Sequence, residues 1–418
     1  MESGEKKKYL QFIFLLRQLI IPHSQPWQLA DYNRLCQVYP LLTGYLSRKA
    51  TISEWTKAGA DVIIAYMISK NRLVKPTQNF MDSCLFGHVE VAKLLHPYTS
   101  MMRHSIIDLF QEVCANGHLP MAMWMFKTLL NTSREAKTIS GRAFHLSCIN
   151  GHLDVSQWLY YTFQMTPEEI KTNENITFLE SCVNGHLMVA RWLYESIGIT
   201  PEEIRKCDNN VIRWSCCAGH LEVAQWLHNI FRFTDNEIKM HGNFIFRKSC
   251  GRGHLGVVQW LYETFHITTK EAKINNIEAF RSSCKNGHLG IAQWLHEKFH
   301  ITHMEVTVDD NDIFKKSCEN GHLAVAKWLY DVFHITREEV ITHDNITFMY
   351  SYCDGHLDVV QWLYETFHIT SEEAKIYDNH AFRKSCECGY LALSKWLYET
   401  FHITPVEAKI YINQTFTM

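Results

Sequence analysis

Apolar residues recur in this chain at the spacing of helices, and the pattern is repeated many times. Leu357, Val360, Leu363, Tyr364 and Phe367 fall three or four residues apart, which places their side chains on one face of an α-helix. In most copies a shorter motif, Phe-x-x-Ser-Cys, comes before this stretch and stops at a glycine. The pattern therefore predicts two consecutive helices joined by a tight turn.

The spacing of the glycine of this turn gives the length of the repeat. It recurs with a strict 34-residue period from Gly117 to Gly389, and less regular copies carry it at Gly87 and Gly59. A fixed period of this length indicates an array of small structural modules that stack on one another. We count about eleven copies in residues 49–418.

Four other residue types keep the same period. From Gly87 onward, phenylalanine stands seven residues before the glycine, cysteine three before, histidine one after and tryptophan seven after. The exceptions are Leu94, Ile212, Tyr352 and Tyr390. At one per repeat, we expect the cysteine and tryptophan columns to pack between neighbouring repeats and the histidine to hydrogen-bond its own turn.

A third element is predicted after the second helix of each repeat. Thr370 and Glu373 form the sequence of a capping box, in which the hydroxyl and the carboxylate satisfy backbone N–H groups at a helix start. The same pair begins at Thr132, Thr166, Thr200, Thr234, Thr268, Thr302, Thr336 and Thr404. Each repeat should therefore carry a short third helix, and one such cap contributes on the order of 1 kcal/mol.

The repeat resembles the ankyrin repeat. The segments SCKNGHLGIAQWL (283–295) and SCENGHLAVAKWL (317–329) are similar to the Gly-His turn and following helix of that family. The resemblance implies an all-α, ankyrin-like repeat solenoid with a 34-residue period, two antiparallel helices and a short third helix per repeat. Thr-x-x-Glu-Glu stands where the family has its β-hairpin segment. This style is similar to the divergent ankyrin arrays of giant DNA viruses of amoebae.

Composition narrows the possible functions. The 418 residues carry a formal charge of −3, so no bulk positive field draws the chain to nucleic acid. No apolar run reaches transmembrane length, and the fourteen cysteines follow the repeat rather than a disulfide framework. We therefore predict an intracellular, cytoplasmic monomer, in the host cytoplasm if the protein is viral.

The periodic polar residues suggest chemistry that we set aside. Cys284 and His288 could begin a zinc site, but such a site needs four convergent ligands, and stacked helices lie about 8–10 Å apart. Glutamate pairs such as Glu168–Glu169 are explained by capping, and no nucleophile or phosphate-binding loop accompanies them. We predict a non-enzymatic protein with no metal, cofactor or small-molecule substrate.

Candidate binding residues are sought where the copies differ. The two positions after the phenylalanine column become basic in the later repeats, and the resemblance implies that these first helices line a concave face. We predict that this face binds a protein partner through an acidic segment, although a solvated face that binds nothing remains an alternative. The candidates are Arg213, Trp214, Arg247, Lys248, Arg281, Lys315, Lys316, Arg383 and Lys384.

The two ends of the chain depart from the period. Residues 1–48 contain two apolar helical stretches around a proline-bearing turn, which we interpret as an N-terminal helical cap of the array. A faint likeness to an F-box supplies the alternative, in which the chain selects substrates for a ubiquitin ligase. At the other end Phe416 falls in the phenylalanine column, so a truncated repeat follows the last complete one.

Overall fold

The computed structural model describes residues 75–130 and 136–404, with a few single positions between 61 and 68. Within this part of the chain every regular element is a helix and no strand occurs, which confirms the predicted all-α class. Three predictions lie outside the described residues: the cap or F-box-like segment 1–48, the copy around Gly59 and the truncated repeat around Phe416.

The chain divides into two compact units, residues 1–203 and 204–418. Each described repeat has a first helix, which is followed by a second helix. The helices of the first unit are α1 (Pro76–Leu85), α2 (Val89–Leu95), a 3₁₀ turn (His96–Tyr98), α3 (Arg103–Ala115), α4 (Leu119–Leu129), α5 (Ala136–Ile149), α6 (Leu153–Thr162), α7 (Pro167–Ile170), α8 (Thr172–Val183) and α9 (Leu187–Ile197), and α10 (Pro201–Lys206) begins there.

The second unit continues the same alternation. Its helices are α11 (Asn210–Cys217), α12 (Leu221–Phe231), α13 (Asp235–Gly251), α14 (Leu255–Phe265), α15 (Thr269–Ala272), α16 (Ile274–Lys285), α17 (Leu289–Phe299), α18 (His303–Glu319), α19 (Leu323–Phe333), α20 (Arg337–Cys353), α21 (Leu357–Phe367), α22 (Ser371–Ala374), α23 (Ile376–Glu387) and α24 (Leu391–Thr400). Some third and first helices run together, as in α13, where the backbone is non-helical from Met240 to Asn243.

First helices pack side by side in a row within each unit, and each also packs against its own second helix. The rows are α1, α3, α5 and α8 in the first unit, and α11, α13, α16, α18, α20 and α23 in the second. This arrangement places residues of one repeat against those of the next, at sequence separations close to one repeat length. Stacking of this kind lets each helix pair bury an apolar face that it cannot bury alone.

The glycine turn forms as predicted. Gly287 has a φ of +78°, in the left-handed region that favours glycine. Its N–H donates to the carbonyl of Cys284, and the N–H of His288 donates to the carbonyl of Ser283. These two bonds are those of a Schellman motif, which satisfies the last carbonyls of the first helix.

The periodic apolar residues form the core. The phenylalanine column is buried throughout the described repeats, and so is the cysteine column up to Cys318. The tryptophans of the periodic column are half-buried, and their rings contact the preceding repeat. The ring centroid of Trp192, for example, lies 6.1 Å from that of Phe144 and 5.5 Å from that of Tyr160. The predicted packing of the tryptophan column between repeats is therefore confirmed, and the cysteine column is buried as expected.

Capping boxes form as the sequence indicates. The reciprocal threonine and glutamate hydrogen bonds begin at Thr166, Thr200, Thr234, Thr268, Thr302, Thr336 and Thr370. The box predicted at Thr132 and the glutamate expected to partner Thr404 lie outside the described residues. Each third helix that begins at one of these boxes is therefore anchored by its own cap.

Candidate binding surface

The imidazole rings of His118, His254 and His322 hydrogen-bond a backbone group of the preceding repeat, whereas we expected them to bond their own turn. Rings of this column also cover the glycine of the preceding repeat, as His118, His152, His186, His254, His288, His322 and His356 do. The Nε2 atom of His118 lies 2.9 Å from the carbonyl oxygen of Leu85, and its ring covers Gly87 so closely that a β-carbon there would lie 2.7 Å from Nδ1. The amide of Asn116 donates to the same Leu85 carbonyl at 3.3 Å. The histidine column therefore joins consecutive repeats.

A second set of contacts between repeats uses the capping glutamates. Lys239 Nζ lies 3.2 Å from Glu271 Oε1 of the next repeat and donates to the carbonyl of His266 at 3.3 Å. The matching pairs are Lys171–Glu203, Arg205–Glu237, Lys273–Glu305 and Arg337–Glu373. Each cation thus joins the end of one second helix to the cap that follows it. We did not predict these pairs from the sequence.

These contacts set the acidity of the capping carboxylates. Burial works to raise the pKa of Glu271, but hydrogen bonds from the backbone and hydroxyl of Thr268 and from Lys239 outweigh it, so the pKa is lowered. The pKa of Glu373 is lowered by the same balance of burial against Thr370 and Arg337. The charged form of each carboxylate is therefore the one that the fold stabilises.

All nine candidate binding residues lie on first helices of the second unit, where the repeat pattern places them. They occupy α11, α13, α16, α18 and α23, and we call the side of this row that carries them the first-helix face. Lys315 and Arg383 are half-buried on α18 and α23. The row brings the candidates onto neighbouring helices, although their surroundings differ.

Several cations on this face form ion pairs with carboxylates of the same chain. Arg247 is ion-paired with Glu278 of the next repeat, and its side chain also donates to the carbonyls of His241 and Gly242. Arg281 repeats the arrangement one period later, 3.0 Å from Asp309 and 3.1 Å from Asp312. The positive charge of these two arginines is therefore compensated within the fold.

Two lysines of the face are compensated within their own helices. Lys316 Nζ lies 2.6 Å from Glu319, and Lys384 Nζ lies 2.8 Å from Glu387. Both pairs join residues three apart on one helix, a spacing that stabilises helices by about 0.2–0.5 kcal/mol. The expected ladder of positive charge is thus interrupted by internal acids along much of its length.

The start of the second unit differs. Trp214 is 38% exposed, and its ring centroid lies 6.2 Å from that of Phe244 in an edge-on arrangement. Arg213 and Lys248 approach the Phe244 ring to 5.9 and 5.8 Å. We call these four residues together with Arg252 the Phe244 patch. It combines an exposed aromatic surface with several cations.

The comparisons with known proteins do not assign this chain to a group. No family model matches it, and no curated protein matches it with significant similarity. Among the described residues no helix is both long enough and apolar enough to cross a membrane. In the same part of the chain no three histidine, cysteine, aspartate or glutamate residues are grouped so that they could hold a metal ion.

Proposed function

We propose that this chain is a non-enzymatic, ankyrin-like protein-binding scaffold that holds a partner protein on the first-helix face of its second unit. The proposal separates two kinds of residue. Those that keep the 34-residue period are used in turns, caps and contacts between repeats, as described for the glycine, histidine and tryptophan columns. Those that vary lie on the first helices and give each repeat a different surface.

The observation that carries the proposal is the Phe244 patch. Exposed tryptophan and arginine are the residue types that contribute most strongly to protein interfaces. Trp214 is held on a regular helix and against Phe244, so it is ordered before any partner arrives. A pre-formed surface of this kind loses little conformational entropy on binding.

The internal ion pairs reduce the number of first-helix cations that we assign to partner binding. Arg247 and Arg281 each have carboxylates within the chain, so reversing their charge would disturb contacts between repeats as well as any binding. We therefore assign partner recognition chiefly to Trp214 and Lys248, which lie beside Arg213 and Phe244. The buried column cysteines are not joined in disulfides, and we assign the activity to a reducing compartment, the cytoplasm.

Site-specific photo-crosslinking in cells tests this proposal. A photo-reactive amino acid is placed at Lys248 on the first-helix face, and in a matched variant at Lys298, which is exposed on the second helix α17. We expect a defined protein adduct from position 248 and none from position 298. Equal adducts from both positions, or none from either, would refute binding through the first-helix face.

A further inference from the structure

We propose that the Phe244 patch docks a short acidic peptide segment of the partner, with one aromatic side chain of that segment packed against Trp214 and Phe244. This inference rests on the proposed function and specifies the chemistry of the partner. Three independent features of the patch support it: its position in the repeat, its excess of positive charge and its exposed aromatic surface.

The position of Phe244 in the repeat is the first feature. In two later repeats the arginine of the first helix pairs with an acid 31 residues ahead, as in Arg247–Glu278 and Arg281–Asp312. Arg213 faces the corresponding position, and the residue there is Phe244. The carboxylate found at this offset in those two repeats is therefore replaced by an aromatic ring, and Arg213 pairs with Asp208 instead.

Excess charge is the second feature. Arg213 has Asp208 as a partner at 2.9 Å, and Arg252 donates to the carbonyl of Cys217 at 3.0 Å. Across the described residues, neither Lys248 nor Arg252 takes part in an ion pair. Burial raises the pKa of Cys217, whereas the positive charges of Arg252, Arg213 and Lys248 act to lower it, so all three cations lie near one thiol. Three cations against one carboxylate leave the patch positive.

The exposed aromatic surface is the third feature. Trp214 presents more than a third of its surface to solvent, and Phe244 lies beneath two cations at the distances of cation–π contacts. An aromatic side chain of the partner would gain both ring–ring contact and proximity to these charges. Flanking carboxylates would then reach Lys248 and Arg252.

The extent of the patch favours a peptide over a nucleic acid. Nucleic-acid binding depends on contacts with many phosphates along an extended basic surface. Here the next two arginines along the face, Arg247 and Arg281, are compensated by Glu278 and by Asp309 and Asp312. The cations of the patch therefore span about two repeats and are followed by compensated arginines, which suits a few carboxylates on one short segment.

Fluorescence anisotropy of the full chain with labelled peptides provides the test. The main probe is a fluorescein-labelled twelve-residue peptide with one tryptophan flanked by aspartate and glutamate. Its matched probes carry asparagine and glutamine in place of the acids, or alanine in place of the tryptophan. A single-stranded oligonucleotide of equal charge tests whether any anion suffices.

Three variants and one control test the residues. Phe244→Glu installs the internal acid seen at Glu278, Lys248→Glu reverses a patch cation, and Trp214→Ala removes the exposed ring. Lys298→Glu makes the same charge change as Lys248→Glu, but on the exposed side of α17. Thermal unfolding of each variant checks that the fold is retained. If Phe244→Glu does not fold, Lys248→Glu and Trp214→Ala still test the inference.

We expect the acidic tryptophan peptide to bind the wild type and the Lys298→Glu control equally. Each patch variant should weaken binding by about tenfold or more, and so should loss of the acids or of the tryptophan from the peptide. Equal binding to patch variants and wild type, or stronger binding of the oligonucleotide, would overturn the inference. If no peptide binds while position 248 still crosslinks to a partner, the peptide inference fails and the proposed function stands; if neither occurs, both fail.

Discussion

Replacing Gly287 with alanine tests how the turn of one repeat depends on the next. Gly287 has a φ of +78°, and a β-carbon built on it would lie 2.6 Å from Nδ1 and 2.8 Å from Cε1 of His322. Both effects oppose the substitution: the left-handed backbone disfavours alanine, and the imidazole ring has to move. His322 also hydrogen-bonds the backbone of Lys285, so moving the ring disturbs that contact.

The magnitude follows from these two effects. A left-handed alanine costs roughly 1–2 kcal/mol. Loss of one hydrogen bond costs about 0.5–1.5 kcal/mol more. We therefore expect Gly287→Ala to lower the free energy of unfolding by roughly 2–3 kcal/mol. The control is Gly290→Ala in α17, where no atom lies within 4 Å of the added β-carbon and φ is not positive, so we expect no loss and a gain of up to about 1 kcal/mol.

A double-mutant cycle isolates the contact between repeats. Urea unfolding followed by far-ultraviolet circular dichroism gives the free energy for the wild type, Gly287→Ala, His322→Ala and the double variant. Without the imidazole, Gly287→Ala should cost only the backbone strain, so the cycle should show a coupling of about 1 kcal/mol. Additivity within about 0.3–0.5 kcal/mol would refute the argument that the histidine ring closes the turn of the preceding repeat.

Three further predictions concern the caps, the ion pairs and the thiols. Thr268→Ala should lower the free energy of unfolding by about 1 kcal/mol in urea, because it leaves a backbone N–H of the short helix α15 without its partner; no change would contradict a role for the cap. The folded pKa of Glu271 and Glu373 is lowered, so their contribution to stability is present above the unfolded pKa and is lost as the pH falls through the folded pKa. The urea concentration at the unfolding midpoint should therefore decrease as the pH is lowered from about 5 to about 3. Glu271→Gln should make this midpoint less dependent on pH in that window. Burial raises the pKa of Cys148 to about 12, so iodoacetamide near neutral pH should modify exposed Cys388 first and Cys148 only after urea unfolding, and early labelling of Cys148 would contradict its burial.

The sequence was sufficient to predict the helices, turns and caps because each depends on residues close together in the chain. Gly287, which ends the Phe-x-x-Ser-Cys motif, predicts its turn, and Thr268 with Glu271 predicts its cap. Both depend on backbone bonds between near neighbours in the sequence. Packing of the tryptophan column was also predictable, since one apolar residue per period at helical spacing has to face a neighbouring repeat.

The charges of the candidate surface could not be predicted in the same way. Whether Arg247 is compensated depends on which residue of the next repeat faces it, and that offset of 31 residues becomes known only when the helices are placed side by side. The same offset from Arg213 leads to Phe244 and singles out the patch. Lys239 and Glu271 are separated by slightly less than one period, a regularity visible in the sequence only when successive copies are aligned.

Contacts from each repeat to the next have a consequence for how such a chain can evolve. The cation of one repeat, the capping glutamate of the following one and the histidine that covers the earlier glycine are all separated by nearly one period. Gene duplication or deletion of one whole 34-residue period within the strictly periodic part of the array keeps the spacing of these pairs at the new junction. Recombination in any other frame changes that spacing at the junction, so tandem copying preserves foldable lengths while Phe244-like substitutions diversify the surface.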